Sequence, residues 1–394
     1  MKISNYIFLI LGIIVSTSFG YKNARTEPKK KDKPNVLFIA IDDLNDWIGV
    51  LGGHPQAKTP HMDRLAQRGV LFSNAHCQAP VCNPSRASVM TSLYPSTSGI
   101  YFLNPDIVES PVASRNIVMP KRFQQEGYNV SAAGKIFHNG KGINETHIPN
   151  YAGQFGGFGP MPEQKISTYP GHPLWDWGVY PERDDQMPDY QIASWAAQKL
   201  IENQDQPFWM GVGFYRPHVP QFAPQKWFDM YPLKSLQLPK TITGDLDDIS
   251  PYGTDLSRLK HVSPTFEWVT ENEQWKPLVQ SYLACVSFVD DQVGRVLDAL
   301  DEGAYGDHTY VVLPLLKNMD AEWPHYARTC FGPGNYSIVS EQYRYIQYND
   351  GSEEFYDHKN DPQEWYNVIG KPEYAEVIGK HRIQVPMNRH HILG

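Results

Sequence analysis

Residues 35–41 read NVLFIAI, an unbroken apolar and largely branched run that stops at two acids, Asp42 and Asp43. Six apolar residues in a row, from Val36 to Ile41, leave no face for water. The run therefore fits a strand buried on both sides, the kind found in a parallel sheet covered by helices. The chain that follows keeps the same rhythm. In TPHMDRLAQRG, Thr59 stands at the N-cap, Pro60 at the first helical position and Gly69 at the stop. VLFSNAH, 70–76, reads as a second strand, MPKRFQQEG as a helix and YNVSAAG as another strand. Tyr282, Val286, Val289, Val293, Val296 and Leu300 fall on one helical stripe, and TYVVL, 309–313, reads as a further buried strand. Strands alternating with helices mean an α/β fold, a sandwich around a mostly parallel central sheet.

The stretch from about 150 to 270 is rich in Pro, Trp and Tyr and reads as long loops, which often shape a substrate site. In the tail, YRYIQY, the turn NDGS and EEFYDH predict an antiparallel hairpin turning at Asp350-Gly351. It belongs to a small C-terminal antiparallel subdomain, 314–394, behind a larger unit, 35–313. Residues 1–20 place Lys2 before an apolar run and end in small residues, the pattern of a cleavable signal peptide. An uncleaved anchor is the alternative, but the run is too short and wrongly flanked for a stable membrane span. A polar, Lys-rich linker, 21–34, follows. The leader implies a periplasmic or secreted protein. A net charge of −8 with no basic stripe argues against a nucleic-acid partner. Cys77, Cys82, Cys285 and Cys330 are too few in 394 residues for a disulfide framework.

Two adjacent acids at the end of a first strand lie where open α/β sheets bind ligands, and oxygen-only donors suit Ca²⁺ or Mg²⁺. Taken alone, Asp42 and Asp43 read equally well as solvated loop acids. Cys82 opens CNPSR, with Pro84 and Arg86 at fixed offsets. Its plain readings are a buried structural thiol or half of a bridge with Cys77.

In combination these features resemble the type I, formylglycine-dependent sulfatases, in the branch that includes iduronate-2-sulfatase. The resemblance rests on KPNVLFIAIDDLNDWIG with TPHMDRLAQRGVLFSNAH, on CNPSRASVMTSLYPSTSGI, on GKIFHNG at 134–140 and on GFYRPHVP at 213–220. SYLACVSFVDDQVGRVLDAL and SEEFYDHKNDPQEWYN also match, so it covers the chain from Lys33 to about Asn367. It implies an alkaline-phosphatase-like sandwich and hydrolysis of a sulfate ester, on a sulfated glycan or a small ester. Cys82 would be oxidised to formylglycine by a maturation enzyme, its hydrate attacking sulfur and then shedding the captured sulfate. Asp42, Asp43 and modified Cys82 would hold Ca²⁺ or Mg²⁺. Arg86 and Lys135 would grip the diol and the sulfate, His138 would handle the diol proton, and His218 would face the sulfate or protonate the leaving alcohol.

One stretch departs from the family. After TYVVL a Ser/Thr-Asp-His/Asn-Gly segment and a later lysine are expected. Here Leu313 runs into PLLKNMDAEWPHYARTCFGPG, which resembles sequence much further downstream. A block about the size of a small domain is missing near Leu313-Pro314, and the remaining metal ligands go with it. Asp307-His308 precedes its strand and belongs at the opposite sheet edge, while Asp320 and His325 are replacements in residue type only. Three readings follow: a sulfuric ester hydrolase for sulfated sugars, a non-catalytic glycan-binding remnant, and a phosphoester hydrolase of the same fold, which usually carries Ser or Thr where Cys82 stands. The aromatic run HPLWDWGVYPERDDQMPDY could stack on sugar rings or simply pack a loop. Asn144 and Asn335 sit in glycosylation sequons.

Overall fold

A computed structural model of the chain describes residues 33–138, 143–259, 262–313 and 326–386. The run NVLFIAI is β1 (Asn35–Ile41) of a five-stranded sheet. Its fellows are β2 (Asn129–Gly134), β3 (Asn150–Tyr151), β5 (Phe208–Phe214) and β7 (Thr309–Val312), in the order β3-β2-β5-β1-β7 and all parallel. The pleat sends alternate residues to opposite faces. Leu37 and Ile39 pack with Val212, Phe214 and the helices Pro188–Ile201 and Trp275–Glu302. Phe38 and Trp209 pack on the other face with Ala87, Met90 and Val130. The predicted stripe on the long helix is buried at Val286, Val289, Val293, Val296 and Leu300, with Tyr282 partly covered. The fold is an alkaline-phosphatase-like α/β sandwich, as the resemblance implies.

Beside this sheet, β4 (Trp177–Val179) pairs in parallel with β6 (Gln221–Ala223). A four-stranded antiparallel sheet, order β11-β10-β9-β8, closes the described tail. It comprises β8 (Ala327–Cys330), β9 (Tyr336–Val339), β10 (Tyr343–Gln347) and β11 (Glu353–Asp357). The predicted hairpin is β10 and β11, with Tyr345 opposite Phe355. The Cys330 amide donates to the Gln78 carbonyl at 2.9 Å, tying the small sheet to the chain just before Cys82.

Two expectations are corrected and a third is narrowed. VLFSNAH forms no strand: Val70 is 51% exposed, and no neighbouring strand pairs with it. A strand is stable only against a partner, whatever its local propensity. β7 is a sheet edge rather than a buried strand, and its Tyr310 is 67% exposed. The stretch 150–270 is loop over more than half its length, as read, but not throughout: it also carries the helix Pro188–Ile201 and the central strand β5, buried along its whole length. All four cysteines are free thiols, so Cys77 and Cys82 are not bridged. Among the described residues no helix is long and apolar enough to cross a membrane. The leader 1–20, nearly all of the 21–34 linker, Pro314, Asp320 and His325 lie outside the described residues.

Candidate active site

Three strand ends make the floor of the site. β1 pairs with β5 up to Ile41 opposite Phe214, and β2 pairs with β5 up to Gly134 opposite Gly213. Asp42, Lys135 and Tyr215 therefore leave the sheet side by side, at the edge where parallel α/β sheets bind ligands. The Asp42 amide donates to the Phe214 carbonyl at 3.2 Å and the Lys135 amide to the Gly213 carbonyl at 2.9 Å. Gly134 has φ +75°, and a Cβ there would lie 2.0 Å from the Gly213 oxygen, so no side chain fits.

Onto this floor points the N-terminus of α1 (Cys82–Thr91), with Cys82 as its first residue. Pro84 sits in the first turn, where a missing N–H costs nothing. Arg86 is four residues on, so it shares the face of Cys82. Its Nη2 donates to Asp42 Oδ1 at 2.6 Å, and Nη1 donates to the carbonyls of Lys135 and Ile136. Lys135 Nζ donates to Asp42 Oδ2. Lys135 is fully buried and Arg86 and Asp42 nearly so. Burial alone would raise the Asp42 pKa, but Arg86 and Lys135 together hold it well below the usual carboxylate range.

Cys82 Sγ lies 3.4 Å from His138 Nδ1. Burial pushes the thiol pKa up and outweighs the pull of Lys135, so at neutral pH the residue is a thiol and not a thiolate nucleophile. Burial, reinforced by Lys135 and opposed by Asp42, pushes His138 down to about 4. Its imidazole is neutral and can accept a proton. His218 Nδ1–H donates to the Val219 carbonyl, which leaves Nε2 facing Asp43 Oδ2 at 3.8 Å. Asp43 is left-handed, φ 57°, and its carbonyl accepts from the Tyr282 hydroxyl at 2.8 Å. Surrounding protein raises the Asp43 pKa, with His218 opposing and Asp42 adding to the rise.

All the predicted site residues, Asp42, Asp43, Cys82, Arg86, Lys135, His138 and His218, thus meet at one sheet edge. Asp307 and His308 fall at the opposite end, because Thr309 pairs with Asn35 at the start of β1. The predicted metal shell is not assembled. Both oxygens of Asp42 are engaged by cations, and among the described residues no group of three or more His, Cys, Asp or Glu could hold a metal ion. A hard divalent ion takes about six oxygens or more, and Asp42 with Asp43 does not supply them. The described donors therefore do not fit Ca²⁺ or Mg²⁺.

Other site-shaping residues carry no local mark in the sequence. Asp189, at the start of the helix Pro188–Ile201, accepts from the amides of Tyr215 at 2.8 Å and Arg216 at 2.9 Å, and so fixes the turn that carries His218. Phe158 lies in a loop whose density of glycine, GQFGGFG at 153–159, was the available signal. Its ring lies against both Lys135 and His218. In the aromatic run 172–190, Trp177 is buried with Tyr169 and Trp268, whereas Trp175, Tyr180 and Tyr190 are half-buried. Asn144 is 2% exposed and its Oδ1 accepts from the Phe137 amide, so it is not presented as a glycan acceptor.

The sulfatase family pattern matches residues 34–313, well over half of the chain. The chain belongs to the sulfatase family. That is a family of sulfuric ester hydrolases whose members generally use formylglycine and a divalent metal. A sulfatase of Formosa agariphila is 37% identical over 464 residues, covering 94% of this chain and 90% of that one. Human iduronate 2-sulfatase is 30% identical over 325 residues, covering 77% of this chain and 58% of that one. This sulfatase-family chain thus spans little more than half the length of the human relative. Among solved structures, a phosphonate monoester hydrolase of Agrobacterium radiobacter superposes with TM-score 0.70 at 17% identity, covering 89% of this chain and 94% of that one. That likeness concerns the fold alone.

Proposed function

We propose that this sulfatase-family protein hydrolyses a sulfate ester on a sulfated sugar, in the periplasm or outside the cell, after a maturation enzyme converts Cys82 to formylglycine. The observation that carries the reading is the convergence of Cys82, Arg86, Lys135, His138 and His218 on the end of β1. A protonated thiol at a helix N-terminus, facing a neutral imidazole, suits a residue that is modified before use. The hydrated aldehyde supplies an oxygen nucleophile and a second hydroxyl through which captured sulfate leaves. Around it, His138 Nδ1 takes up a proton at the nucleophile. Arg86 and Lys135 present cationic donors to the sulfate oxygens, and His218 Nε2 serves the leaving oxygen when protonated. The sugar class follows from likeness to iduronate 2-sulfatase.

Two observations support a missing block after β7 and a domain boundary near 313. The family match ends at 313, and the F. agariphila match runs over more positions than this chain has residues. A second reading, a sulfated-glycan-binding protein without turnover, is favoured by the locking of Asp42 between Arg86 and Lys135.

The test is protein co-expressed with a maturation enzyme, its aldehyde checked by intact mass, then assayed for sulfate release from sulfated disaccharides. Turnover that Cys82→Ala abolishes supports the hydrolase. Calcium titration of the same protein separates the two readings. Micromolar binding lost in an Asp42→Ala variant that thermal unfolding shows to be folded supports catalysis, whereas a folded, modified wild-type protein that binds no calcium and releases no sulfate leaves the binding reading.

A further inference from the structure

Lys135 Nζ carries three N–H donors, is shielded from solvent, and among the described residues has one hydrogen-bond acceptor, Asp42. A buried ammonium with unused donors is costly unless something else faces it. Here that something is aromatic. Nζ lies 4.9 Å from the centre of the Phe158 ring and 5.9 Å from that of Tyr215, within the range at which a ring quadrupole stabilises a cation. The Phe158 ring also lies 4.8 Å from the His218 imidazole at 36°, and meets Tyr215 edge-on at 5.3 Å.

The loop that carries Phe158 is pinned to the His218 turn by one guanidinium. Arg216 Nη2 donates to the Phe158 carbonyl at 2.8 Å, and its Nε donates to the Phe222 carbonyl at 3.0 Å. Gly159 has φ +97°, and a Cβ there would come within 3.1 Å of Arg216 Nη2, so the loop approaches that closely only as glycine.

Resting on the functional reading above, we propose that Phe158 is a positioning residue of the sulfate pocket: its ring packs against both Lys135 and His218 and sets the places of two arms that close on a sulfate oxyanion. A ring, unlike a carbonyl, satisfies the ammonium without consuming its donors. Those donors stay free for the ligand while the same ring packs on the His218 imidazole.

The experiment compares Phe158→Leu with Phe158→Tyr, which keeps the ring. Phe158→Met replaces the leucine variant if thermal unfolding shows that variant unfolded. Two quantities are read: affinity for inorganic sulfate by calorimetry, and the ring-current-shifted His218 resonance in ¹³C-histidine-labelled protein. The expected result is an affinity loss of about tenfold in Phe158→Leu, with the His218 resonance displaced and both restored in Phe158→Tyr. A folded leucine variant that keeps either quantity at the wild-type value overturns the proposal. Wild-type protein with no affinity for sulfate overturns the functional reading and this proposal with it. That failure is distinguishable because it is seen before any substitution is made.

Discussion

The two flanks of β1 are built to different standards. On one side lies β5, seven residues buried on both faces and backed by the helices Pro188–Ile201 and Trp275–Glu302. On the other lies β7, four residues half-open to solvent, with no strand beyond it in the described sheet. Every candidate site residue is carried by the end of β1 itself, by the β5 flank or by α1. That flank can hold Arg86, Asp42 and Lys135 in a dry environment, where each charge is bearable only because the others are present. The β7 flank, where the family expects further metal ligands, contributes none among the described residues. The cluster of Arg86, Asp42 and Lys135 thus depends on the well-buried flank of the sheet and not on the open one.

The largest predicted effect lies in the ion-pair network. Asp42→Ala leaves two buried cations without their shared carboxylate and should lower unfolding free energy by about 3–5 kcal/mol, read by urea denaturation. A loss below about 1 kcal/mol would mean that Arg86 and Lys135 reach water in solution. Next come matched truncations on the two flanks. Leu37→Ala, in the core between β1 and the long helices, should cost about 2–5 kcal/mol. Val311→Ala, half-buried on β7, should cost no more than about 1 kcal/mol. Equal costs would erase the contrast and show β7 to be covered.

Much of this contrast is legible in the chain. A strand buried on both faces must be apolar throughout, so β1 and its terminal acids stand out, and the four-residue offset puts Cys82 and Arg86 on one helical face. Lys135, His138 and His218 came from family resemblance alone, because a lysine after a strand or a histidine in a loop has no pattern of its own. β5 is as apolar as β1, in FWMGVGF, but was hidden among the surrounding prolines and aromatics. VLFSNAH has strand propensity without a partner, and no local rule supplies one. Phe158 and Asp189 escaped because their contacts are long-range: Phe158 and Arg216 are 58 positions apart and meet only through packing.

Two buried aspartates at the same sheet edge sharpen the comparison further, since they respond to pH in opposite senses. Asp42 faces two cations and its pKa is depressed, so its contribution is present above the ordinary carboxylate value and is lost as pH falls below it. Asp189 accepts two backbone amides, while the guanidinium of Arg216 points away to the Phe222 and Phe158 carbonyls. Burial raises its pKa to about 6, although Arg216 opposes the rise. The folded chain then holds a proton that the unfolded chain has released between about pH 4 and 6. Stability from this group is full below that window and declines by about 3 kcal/mol as pH rises through it. Asp189→Asn should flatten this slope in urea titrations across the window, and an unchanged slope would place its origin elsewhere.

The smallest predicted effect tests the open edge. Tyr310 points outward from β7 and is 67% exposed, so it buries little apolar area that truncation could forfeit. Tyr310→Ala should change unfolding free energy by no more than about 0.5 kcal/mol, as exposed substitutions do. The measurement is worth making at two protein concentrations. A cost above about 1 kcal/mol that grows with concentration would mean that a second chain covers β7 in solution, because only association makes stability depend on concentration. A small, concentration-independent change leaves the edge bare. The thin flank of the sheet is then a property of the monomer and not of an assembly.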